Sequence, residues 1–533
     1  MSKENWGSRV GLVLAMAGNA VGLGNFLRFP AQAIQNGGGA FIIPYLTCFL
    51  LMGIPLLFVE WSMGRYGGKY GDHSTPFILN NMSGGKRNWW KYVGVFGIFT
   101  NLAVAAYYCY LESWTLAYVW RSVSGAFSGQ SPETVSQMFD SYVGLGSAEP
   151  IIFWVICLLL NTWILSRGLA GGVEIAAKIG MPLLIFFGIF LAIRGITLSS
   201  GEAGAVNDGV VGLNYLWTPD FSTIWDFKVW LAAAGQIFFT LSVGMGSIQC
   251  YASYLRQRDD VALNAMSAGW MNEFVEVSLG AAILIPISIG YLGIDKVVEL
   301  TQSGGLGLGF RTLPYLFQQW GPILAALAGM AWFGLLFFAG ITSSLAMGTP
   351  VMGFLRDEFG WKRETSAWAF GGLVLILGAP TVMFFQYGVF DEYDYWAGTV
   401  SLVVFAMFEI VLFAWVFGMD KGWAEINRGA DMKVPIIYKY IIKFVTPVIL
   451  ISVFLGSLLS SGGILDKIAN KDIHAKIAAA TDAAERAKLE DTLLFVNGSR
   501  LLLVLLFALI AYAVYVAQRK REREGRVPVL HND

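Results

Sequence analysis

Apolar segments long enough to cross a membrane recur along the whole chain, and they restrict the folds that are open to it. Hydrophobic residues make up 56% of the 533 residues and charged residues 14%, whereas soluble domains carry about 25% charged residues. A helix crosses the hydrocarbon core with about 20 apolar residues, and about twelve segments reach that length. They lie near residues 10–34, 39–66, 89–121, 151–166, 174–195, 228–254, 262–291, 322–355, 364–385, 394–418, 436–460 and 495–518. The short alternation of barrel strands does not occur in them, so the sequence predicts an all-α integral membrane protein.

Basic residues are concentrated in the loops of one membrane side. They lie between segments two and three, six and seven, and eight and nine, after segment ten, and in the run "RKRERE" at 519–524. Because loops rich in Lys and Arg stay in the cytoplasm, we expect both termini to be cytoplasmic. The formal net charge of −1 gives no reason to expect a nucleic-acid partner.

Glycine-rich interruptions divide two of the predicted spans. Segment one is interrupted at "GLGN" (22–25) and segment six at "TLSVGMGS" (240–247). These segments are five apart, and interrupted helices at matching positions are typical of transporters built from inverted repeats. We therefore predict two five-helix inverted repeats with broken helices one and six. The predicted organisation is a tail at 1–8, a first repeat at 9–195, an extracellular loop at 196–227, a second repeat at 228–420, helices eleven and twelve at 421–518 with a long extracellular loop at 461–494, and a tail at 519–533.

A break inside a membrane helix leaves backbone N–H and C=O groups that need other partners. The N-terminus of a half-helix suits a carboxylate, and freed carbonyls suit a cation. Oxygen-bearing side chains are predicted at the same membrane depth: Asn25, Thr240, Asn272, Thr342 and Ser343. The alternative is that Thr and Ser hydroxyls bond back to their own helices, which is routine for any single one. The five together favour a Na⁺ site.

Seven motifs, in order along the chain, carry a resemblance to a known family. They are "GNAVGLGNFLRFP", "NGGGAFIIPY", "GIPLLFVEWSMGRYGG", "YYCYLESW", "GQIFFTLSVGMGS", "FFAGITSSLAM" and "DEYDYWAGT". Together they resemble the neurotransmitter:sodium symporter family, and most closely its bacterial amino-acid members such as the leucine transporter. The resemblance covers the twelve-span body and implies a carrier driven by the sodium gradient.

The resemblance implies two Na⁺ ions as cofactors. The first sodium site would use the carbonyl of Ala20, the side chains of Asn25, Thr240 and Asn272, and the substrate carboxylate. The second would use the carbonyls of Gly18, Val21 and Ala339 and the hydroxyls of Thr342 and Ser343. A carboxylate that also ligates Na⁺ would make each ligand bind better in the presence of the other.

Gly22 bears on the chemistry of the substrate. Monoamine-carrying members of the family have an aspartate at this position, whereas this chain has no side chain there. Because a buried charge needs a counter-ion, we expect a substrate that brings its own carboxylate, as an amino-acid zwitterion does. Its carboxylate would take the amides of Leu23 and Gly24 and the Tyr108 hydroxyl. Its amine would donate to the carbonyls of Ala20, Phe239 and Thr240 and to Ser242, and Ser343 is a further predicted substrate contact.

The pocket for the substrate side chain would be lined by Val104, Tyr108, Phe239, Met245 and Met347. Relative to the leucine transporter, methionine replaces more rigid residues at positions 245 and 347, and thioethers repack around different shapes. We therefore expect a neutral hydrophobic amino acid, with tolerance for larger or aromatic side chains. The alternative for either methionine is plain packing in a membrane helix.

Charged and aromatic residues flank the broken regions, and the resemblance implies that they act as gates. They are Arg28 and Asp394 on the outside, above an aromatic lid of Tyr108 and Phe239, and Lys3, Trp6, Tyr254 and Asp357 on the inside. The family pattern before segment one is Arg-x-x-Trp, whereas this chain has "KENW", so Lys3 would replace the arginine. Lysine lacks the bidentate fork of arginine, and a solvated tail charge is the alternative for Lys3.

Glu276 falls one helical turn after Asn272 and therefore lies on the same helix face. Chloride-dependent members of the family have a small hydroxyl residue at this position and bacterial ones a carboxylate, so the resemblance implies that Glu276 substitutes for chloride. Protonation of Glu276 during the return step is an open alternative. For the other intramembrane carboxylates, Glu60, Glu112 and Glu409, we expect roles in bundle packing.

The sequence thus favours a sodium-coupled symporter that imports neutral hydrophobic L-amino acids by alternating access, without chloride, in a bacterial inner membrane. The alternatives are a carrier of another small zwitterion, such as a betaine or a taurine-like compound, and a transporter-like amino-acid sensor. The three histidines lie outside the spans and no nucleophile is arranged for catalysis, so we do not expect an enzyme. The expected partners are the amino-acid substrate and membrane lipid, with a homodimer as an open alternative.

Overall fold

The structure, a computed structural model, describes residues 6–84, 89–222, 224–302 and 304–526. Lys3 and the outer parts of both predicted tails, 1–5 and 527–533, lie outside these ranges. Within them the chain is built from helices joined by loops and turns, and no strand occurs. An all-helical chain fits a membrane setting, since a helix satisfies its backbone hydrogen bonds within one segment.

The helices are numbered α1 to α21. The first ten are α1 (Arg9–Ala20), α2 (Leu23–Gln35), α3 (Gly39–Gly68), α4 (Thr75–Met82), α5 (Trp90–Val123), α6 (Pro132–Val143), α7 (Glu149–Ser166), α8 (Leu169–Ile196), α9 (Gly209–Trp217) and α10 (Phe227–Leu241). The others are α11 (Ser247–Ala252), α12 (Val261–Leu292), α13 (Ile294–Thr301), α14 (305–318), α15 (Pro322–Phe359), α16 (Arg363–Met383), α17 (Val389–Ile426), α18 (Ile437–Leu459), α19 (Ile464–Ile468), α20 (Lys471–Ala479) and α21 (Ala483–Arg523). Short 3₁₀ turns lie at Glu202–Gly204 and Phe385–Tyr387.

Ten of the described helices are long and apolar enough to cross a membrane, and α1 and α2 form an eleventh span bent by 46°. The remaining predicted span, segment six, is divided into α10, of 15 residues, and α11, of 6 residues. Neither half reaches the ~20 residues that a span needs. The predicted all-α membrane fold with about twelve spans is therefore confirmed, and so are the breaks in its first and sixth spans.

The second of the two predicted extracellular loops is largely helical. The predicted loop at 461–494 contains α19, α20 and the first turns of α21. The last span was expected at 495–518, whereas α21 begins at Ala483, where the side chain of Asp482 accepts a hydrogen bond from the Glu485 N–H at 3.0 Å. Because this N-cap satisfies an otherwise unpaired amide, the helix starts well before the apolar segment.

The chain divides into two compact units, each assembled from separated segments. Unit 1 comprises Met1–Leu50, Tyr108–Leu241 and Met266–Ala346, and unit 2 comprises Leu51–Tyr107, Ser242–Ala265 and Met347–Asp533. Each unit thus combines segments of both predicted repeats. Within unit 1, α10 packs on the first part of α3, α8 packs on α12, and α2 packs on a π-helical turn of α12 at Phe274–Gly280.

Unit 2 contains α21, which is joined to the rest of that unit by two arginines, one half-buried and one buried. Arg500 Nε lies 2.6 Å from Glu392 Oε2, on α17. Near the other end of α21, Arg521 is 6% exposed, and its guanidinium pairs with Glu358 and, at 2.5 Å, with Asp72. Breaking a buried ion pair leaves an uncompensated charge, so these contacts hold α21 firmly within unit 2.

Candidate functional site

The first helix break lies at Val21 and Gly22, at the start of the predicted "GLGN" position (22–25). α1 ends at Ala20, Gly22 is extended with φ −123° and ψ −169°, and α2 begins at Leu23. The Gly22 N–H donates to Asn25 Oδ1 at 2.8 Å, and the Leu23 N–H donates to the Tyr108 hydroxyl at 3.0 Å. The predicted carboxylate partners Leu23 and Tyr108 are thus in direct contact within unit 1.

Glycine is required at two positions of this break because the space beside them is filled. A Cβ atom at position 22 would lie 2.7 Å from the Tyr108 hydroxyl oxygen and 3.1 Å from Ser343 Oγ. A Cβ atom at position 24 would collide with the ring of Phe239. Any side chain at either position would therefore displace a residue predicted to contact the substrate.

The side chains predicted for the first sodium site form one buried cluster in unit 1. Asn25 Nδ2 donates to Asn272 Oδ1 at 2.8 Å and to Thr240 Oγ1 at 3.1 Å, and Asn272 Nδ2 donates to Thr240 Oγ1 at 3.0 Å. All three residues are at most 1% exposed, and Ala20, whose carbonyl was predicted to join them, is also buried. Their neutral oxygens are the type of donor that a hard cation prefers, so the residues present fit Na⁺.

Glu276 belongs to the same cluster and is surrounded by neutral hydrogen-bond donors. Its carboxylate accepts hydrogen bonds from the Thr240 hydroxyl, from Gln236 Nε2, from the Tyr45 hydroxyl at 2.9 Å and from Asn25 Nδ2 at 3.5 Å. Sequence reasoning placed Glu276 beside Asn272 but missed Tyr45 and Gln236. Neither of those two has a local signal, since they come from α3 and α10, far from Glu276 in sequence.

The second predicted sodium site is also assembled within unit 1. Ser343 Oγ donates towards the carbonyl of Gly18, at 3.1 Å, and lies 3.3 Å from that of Val21. The Thr342 hydroxyl instead bonds back to its own helix, to the carbonyls of Phe338 at 2.9 Å and of Ala339 at 3.2 Å. The back-bonding alternative therefore describes Thr342, whereas Ser343 reaches across to the broken helix. The gathered carbonyl and hydroxyl oxygens fit a second Na⁺ ion.

In the described part of the chain no cluster of three His, Cys, Asp or Glu residues could hold a metal ion. The oxygens gathered at both breaks are instead mostly amide, hydroxyl and carbonyl groups. Such a donor set favours an alkali cation over the transition metals, which prefer imidazole and thiolate.

The second helix break is held open by side chains of unit 2 that sequence reasoning did not connect with it. Ser242, Gly244 and Gly246 have positive φ values of 53°, 72° and 87°. The Gly244 N–H donates to a carboxylate oxygen of Glu60 at 2.6 Å, and Asn101 Nδ2 donates to the Met245 carbonyl at 2.6 Å. Glu60, expected to serve bundle packing, thus satisfies an amide of the unwound backbone.

The remaining predicted pocket residues, Val104, Met245 and Met347, are all buried in unit 2. Phe239, in unit 1, carries the guanidinium of Arg28 over its ring, with 4.4 Å between Cζ and the ring centroid. This cation–π contact places the predicted outer-gate arginine on the predicted aromatic lid.

The other gate residues have partners of their own within each unit. In unit 2, Asp394 accepts a hydrogen bond from the Tyr107 hydroxyl at 2.7 Å. Asp357, predicted for the inner gate, accepts the His73 N–H at 2.8 Å. The Tyr254 ring stacks on the His73 ring with 4.1 Å between centroids. His73 was missed because only the fold brings its loop to Asp357. Trp6 is half-buried at the start of the described chain, and Lys3 lies outside the described residues.

Two broken membrane helices with oxygen-lined breaks define the class of protein, which is a cation-coupled secondary transporter. The chain belongs to the sodium:neurotransmitter symporter family, whose model matches residues 3–139 and 133–464. It is therefore a sodium-dependent symporter and not an enzyme, and the resemblance found in its motifs is confirmed.

Individual relatives support this membership. An uncharacterised sodium-dependent transporter of Methanocaldococcus jannaschii is 31% identical over 85% of this chain and 90% of its own length. A sodium-dependent nutrient amino acid transporter of Drosophila melanogaster is 24% identical over 86% of this chain and 78% of its own length. The crystal structure of MhsT in complex with L-phenylalanine matches with a TM-score of 0.74 and 28% identity, over 85% of this chain and 99% of MhsT.

Proposed function

We propose that this protein imports neutral hydrophobic L-amino acids together with two Na⁺ ions and without chloride, by alternating access. The observation that carries the proposal is the packing of Gly22 against Tyr108 and Ser343. A side-chain carboxylate at this position would have no room, so the substrate supplies the negative charge beside the start of α2. An amino-acid zwitterion has that carboxylate, and a decarboxylated amine lacks it.

The carboxylate would bind at the N-terminus of α2, where the helix dipole and the amides of Leu23 and Gly24 favour an anion. The Tyr108 hydroxyl already lies 3.0 Å from the Leu23 nitrogen, so it would donate to the same carboxylate. The amine would donate to the carbonyls of Ala20, Phe239 and Thr240 and to Ser242. The hydrophobic side chain would contact Val104, Met245 and Met347 besides the two aromatic rings.

The first Na⁺ would be held by Ala20, Asn25, Thr240, Asn272 and the substrate carboxylate. The second would be held by Gly18, Val21, Ala339, Thr342 and Ser343. Because the substrate is itself a ligand of the first ion, binding of either one increases the affinity for the other. Thr342 can keep its intrahelical hydrogen bond while it ligates the ion, because the hydroxyl donates its proton to a carbonyl and its oxygen lone pairs stay free for Na⁺.

Glu276 would supply the negative charge that chloride provides in other members of the family. Its carboxylate is saturated by hydrogen bonds from uncharged groups and lies in contact with two of the proposed sodium ligands, Asn25 and Thr240. A fixed negative charge at this distance favours Na⁺ binding. Arg28 with Asp394, and Lys3 and Trp6 with Tyr254 and Asp357, would close the outer and inner paths in turn.

Further support comes from the relatives, since MhsT was crystallised with L-phenylalanine and the Drosophila relative is a nutrient amino acid transporter. We place the protein in a bacterial plasma membrane with both termini in the cytoplasm, in agreement with the basic loops, and a homodimer is compatible with this role.

The experiment is uptake by purified protein in lipid vesicles with an inward Na⁺ gradient. A panel of labelled amino acids, a betaine, taurine and a monoamine would be compared in NaCl, KCl and sodium gluconate. We expect uptake of hydrophobic amino acids in NaCl and in sodium gluconate. We expect no uptake in KCl. Uptake of the monoamine would overturn the proposal that the substrate is a zwitterion. Uptake of the betaine or taurine would overturn the proposal that it is an amino acid. Uptake of amino acids in NaCl but not in sodium gluconate would overturn the chloride independence.

A further inference from the structure

A buried carboxylate in unit 1 has no part in the proposed transport site. Glu112 lies on α5 and is 0% exposed, and no ion pair to it occurs among the described residues. Its two oxygens each lie 3.0 Å from Asn161 Nδ2, on α7, and one lies 2.7 Å from Ser344 Oγ, on α15. A charge in a membrane interior is expensive and is normally paired with a cation, so this arrangement needs an explanation.

The three side chains close a ring. Ser344 Oγ lies 2.8 Å from Asn161 Oδ1, and the second amide hydrogen of Asn161 goes to the Cys157 carbonyl at 3.0 Å. If Glu112 carries a proton, its hydroxyl donates to Ser344 Oγ, the Ser344 hydroxyl donates to Asn161 Oδ1, and the Asn161 amide donates back to the other carboxyl oxygen. Each donor then has one acceptor, and the ring is uncharged. An ionised Glu112 would compete with Asn161 for the single Ser344 proton and leave one acceptor unsatisfied.

The ring lies beside the residues that would hold the second Na⁺ ion. Ser344 follows Ser343 directly, and successive residues of a helix point about 100° apart. Anchoring Ser344 to Glu112 and Asn161 therefore fixes the rotation of α15 at the turn from which Ser343 reaches Gly18. The approach of the helices is close here, since a Cβ atom at Gly340 would lie 3.2 Å from Glu112 Cγ. On α5, Tyr108 lies one turn before Glu112 and hence on the same face.

We propose that Glu112, Asn161 and Ser344 form an uncharged hydrogen-bonded ring that positions the Ser343 hydroxyl for the second sodium ion. Glu112 is thus a positioning residue rather than a ligand, and it keeps its proton throughout the transport cycle. This inference rests on the proposed sodium function of Ser343. It replaces the packing role that the sequence suggested for Glu112.

The test is the Na⁺ concentration for half-maximal uptake in vesicles, measured for variants that break or preserve the ring. Ser344→Ala and Glu112→Leu break it and should raise that concentration about tenfold, with the KM for substrate at saturating Na⁺ changed much less. Glu112→Gln preserves the ring, because its amide donates to Ser344 and its oxygen accepts from Asn161. This variant should stay within about twofold of wild type and show the wild-type dependence of uptake on pH.

Ser113→Ala is the matched control. Ser113 is also buried on α5, but its hydroxyl bonds only the Tyr110 carbonyl of its own helix, at 2.6 Å, so its loss should leave the Na⁺ dependence unchanged. An unchanged Na⁺ dependence in Ser344→Ala and Glu112→Leu would overturn the positioning role. A tenfold change in Glu112→Gln, or a shifted pH profile in that variant, would overturn the uncharged ring.

Thermal unfolding in detergent separates this inference from the proposed function. The rise of the unfolding midpoint with added NaCl relative to KCl reports Na⁺ binding without transport. If wild type shows no Na⁺-driven uptake but is stabilised by Na⁺, the proposed function fails. The ring can still be tested in that case, because it predicts that Ser344→Ala loses the stabilisation by Na⁺. If Na⁺ stabilises wild type and Ser344→Ala equally, or stabilises neither, the ring has no role in sodium binding.

Discussion

Replacing Gly22 by alanine tests the geometry on which the substrate proposal depends. The added Cβ atom would lie 2.7 Å from the Tyr108 hydroxyl oxygen and 3.1 Å from Ser343 Oγ. Relief of the shorter contact requires Tyr108 to move away from the Leu23 N–H, to which it is now bonded at 3.0 Å. The methyl group therefore disturbs the donors that would receive the substrate carboxylate.

The size of the effect follows from the cost of overpacking, which is about 1–3 kcal/mol for an extra methyl group in a close-packed site. If this cost falls on the bound state, the KM for the amino acid rises about 5- to 150-fold. The Na⁺ concentration for half-maximal uptake should rise with it, since the displaced carboxylate is a proposed ligand of the first ion.

The assay is uptake of a labelled hydrophobic amino acid in vesicles, with Gly235→Ala as the control. Gly235 lies on α10, the helix of Phe239 and Thr240, and a Cβ atom there would meet nothing within 4 Å. That control should show wild-type kinetics. A Gly22→Ala protein that folds, judged by its unfolding midpoint, and transports with the wild-type KM would refute the reasoning.

Three further predictions concern the ions and the last helix. Glu276→Ser should make uptake depend on chloride. The control, Glu273→Gln, lies three residues earlier on the same helix and should transport equally in chloride and gluconate. Equal uptake by Glu276→Ser in chloride and gluconate would contradict the proposal that Glu276 substitutes for chloride. Exchange of Na⁺ for K⁺ should weaken equilibrium binding of substrate to solubilised protein about 5- to 150-fold, and equal affinity in both salts would disprove coupling. Arg521→Met should lower the free energy of unfolding by about 3–5 kcal/mol, because it leaves the Glu358 carboxylate buried without its cation, and unfolding midpoints in detergent would measure this. Arg519→Met removes only exposed contacts, an ion pair with Glu522 and a hydrogen bond to the Tyr515 hydroxyl, and should leave the midpoint unchanged.

The parts of this protein that could be predicted from the sequence are those with a local physical cause. Glycines mark both breaks because glycine weakens a helix and adopts the conformations that end one; Gly22 is extended, and Gly244 and Gly246 have positive φ values. Asn25 could be assigned because it lies within the predicted break at 22–25; the structure places it in the first turn of α2. Long apolar segments gave the spans for a similar reason, since length and hydropathy are properties of a single helix.

The parts that could not be predicted depend on contacts between distant segments. Glu60 holds the Gly244 amide across 184 residues, and Tyr45 reaches Glu276 across 231. Asn101 and His73 are likewise ordinary residues in their own segments and become functional candidates only through the fold. The apolar segment at 495–518 did not show where α21 begins, because its first turns, from Ala483, are charged and have no hydropathy signal.

The two arginines that pair α21 with the rest of unit 2 also have a consequence for how the protein is made. Asp72, Glu358 and Glu392 are synthesised before Arg500 and Arg521. During membrane insertion these acidic groups are therefore present before the arginines with which they pair. Until then they stay hydrated or attract other partners, since an unpaired charge is costly within lipid. Unit 2 can therefore complete these ion pairs only late in translation, and a nascent chain stopped before residue 500 would lack both arginines.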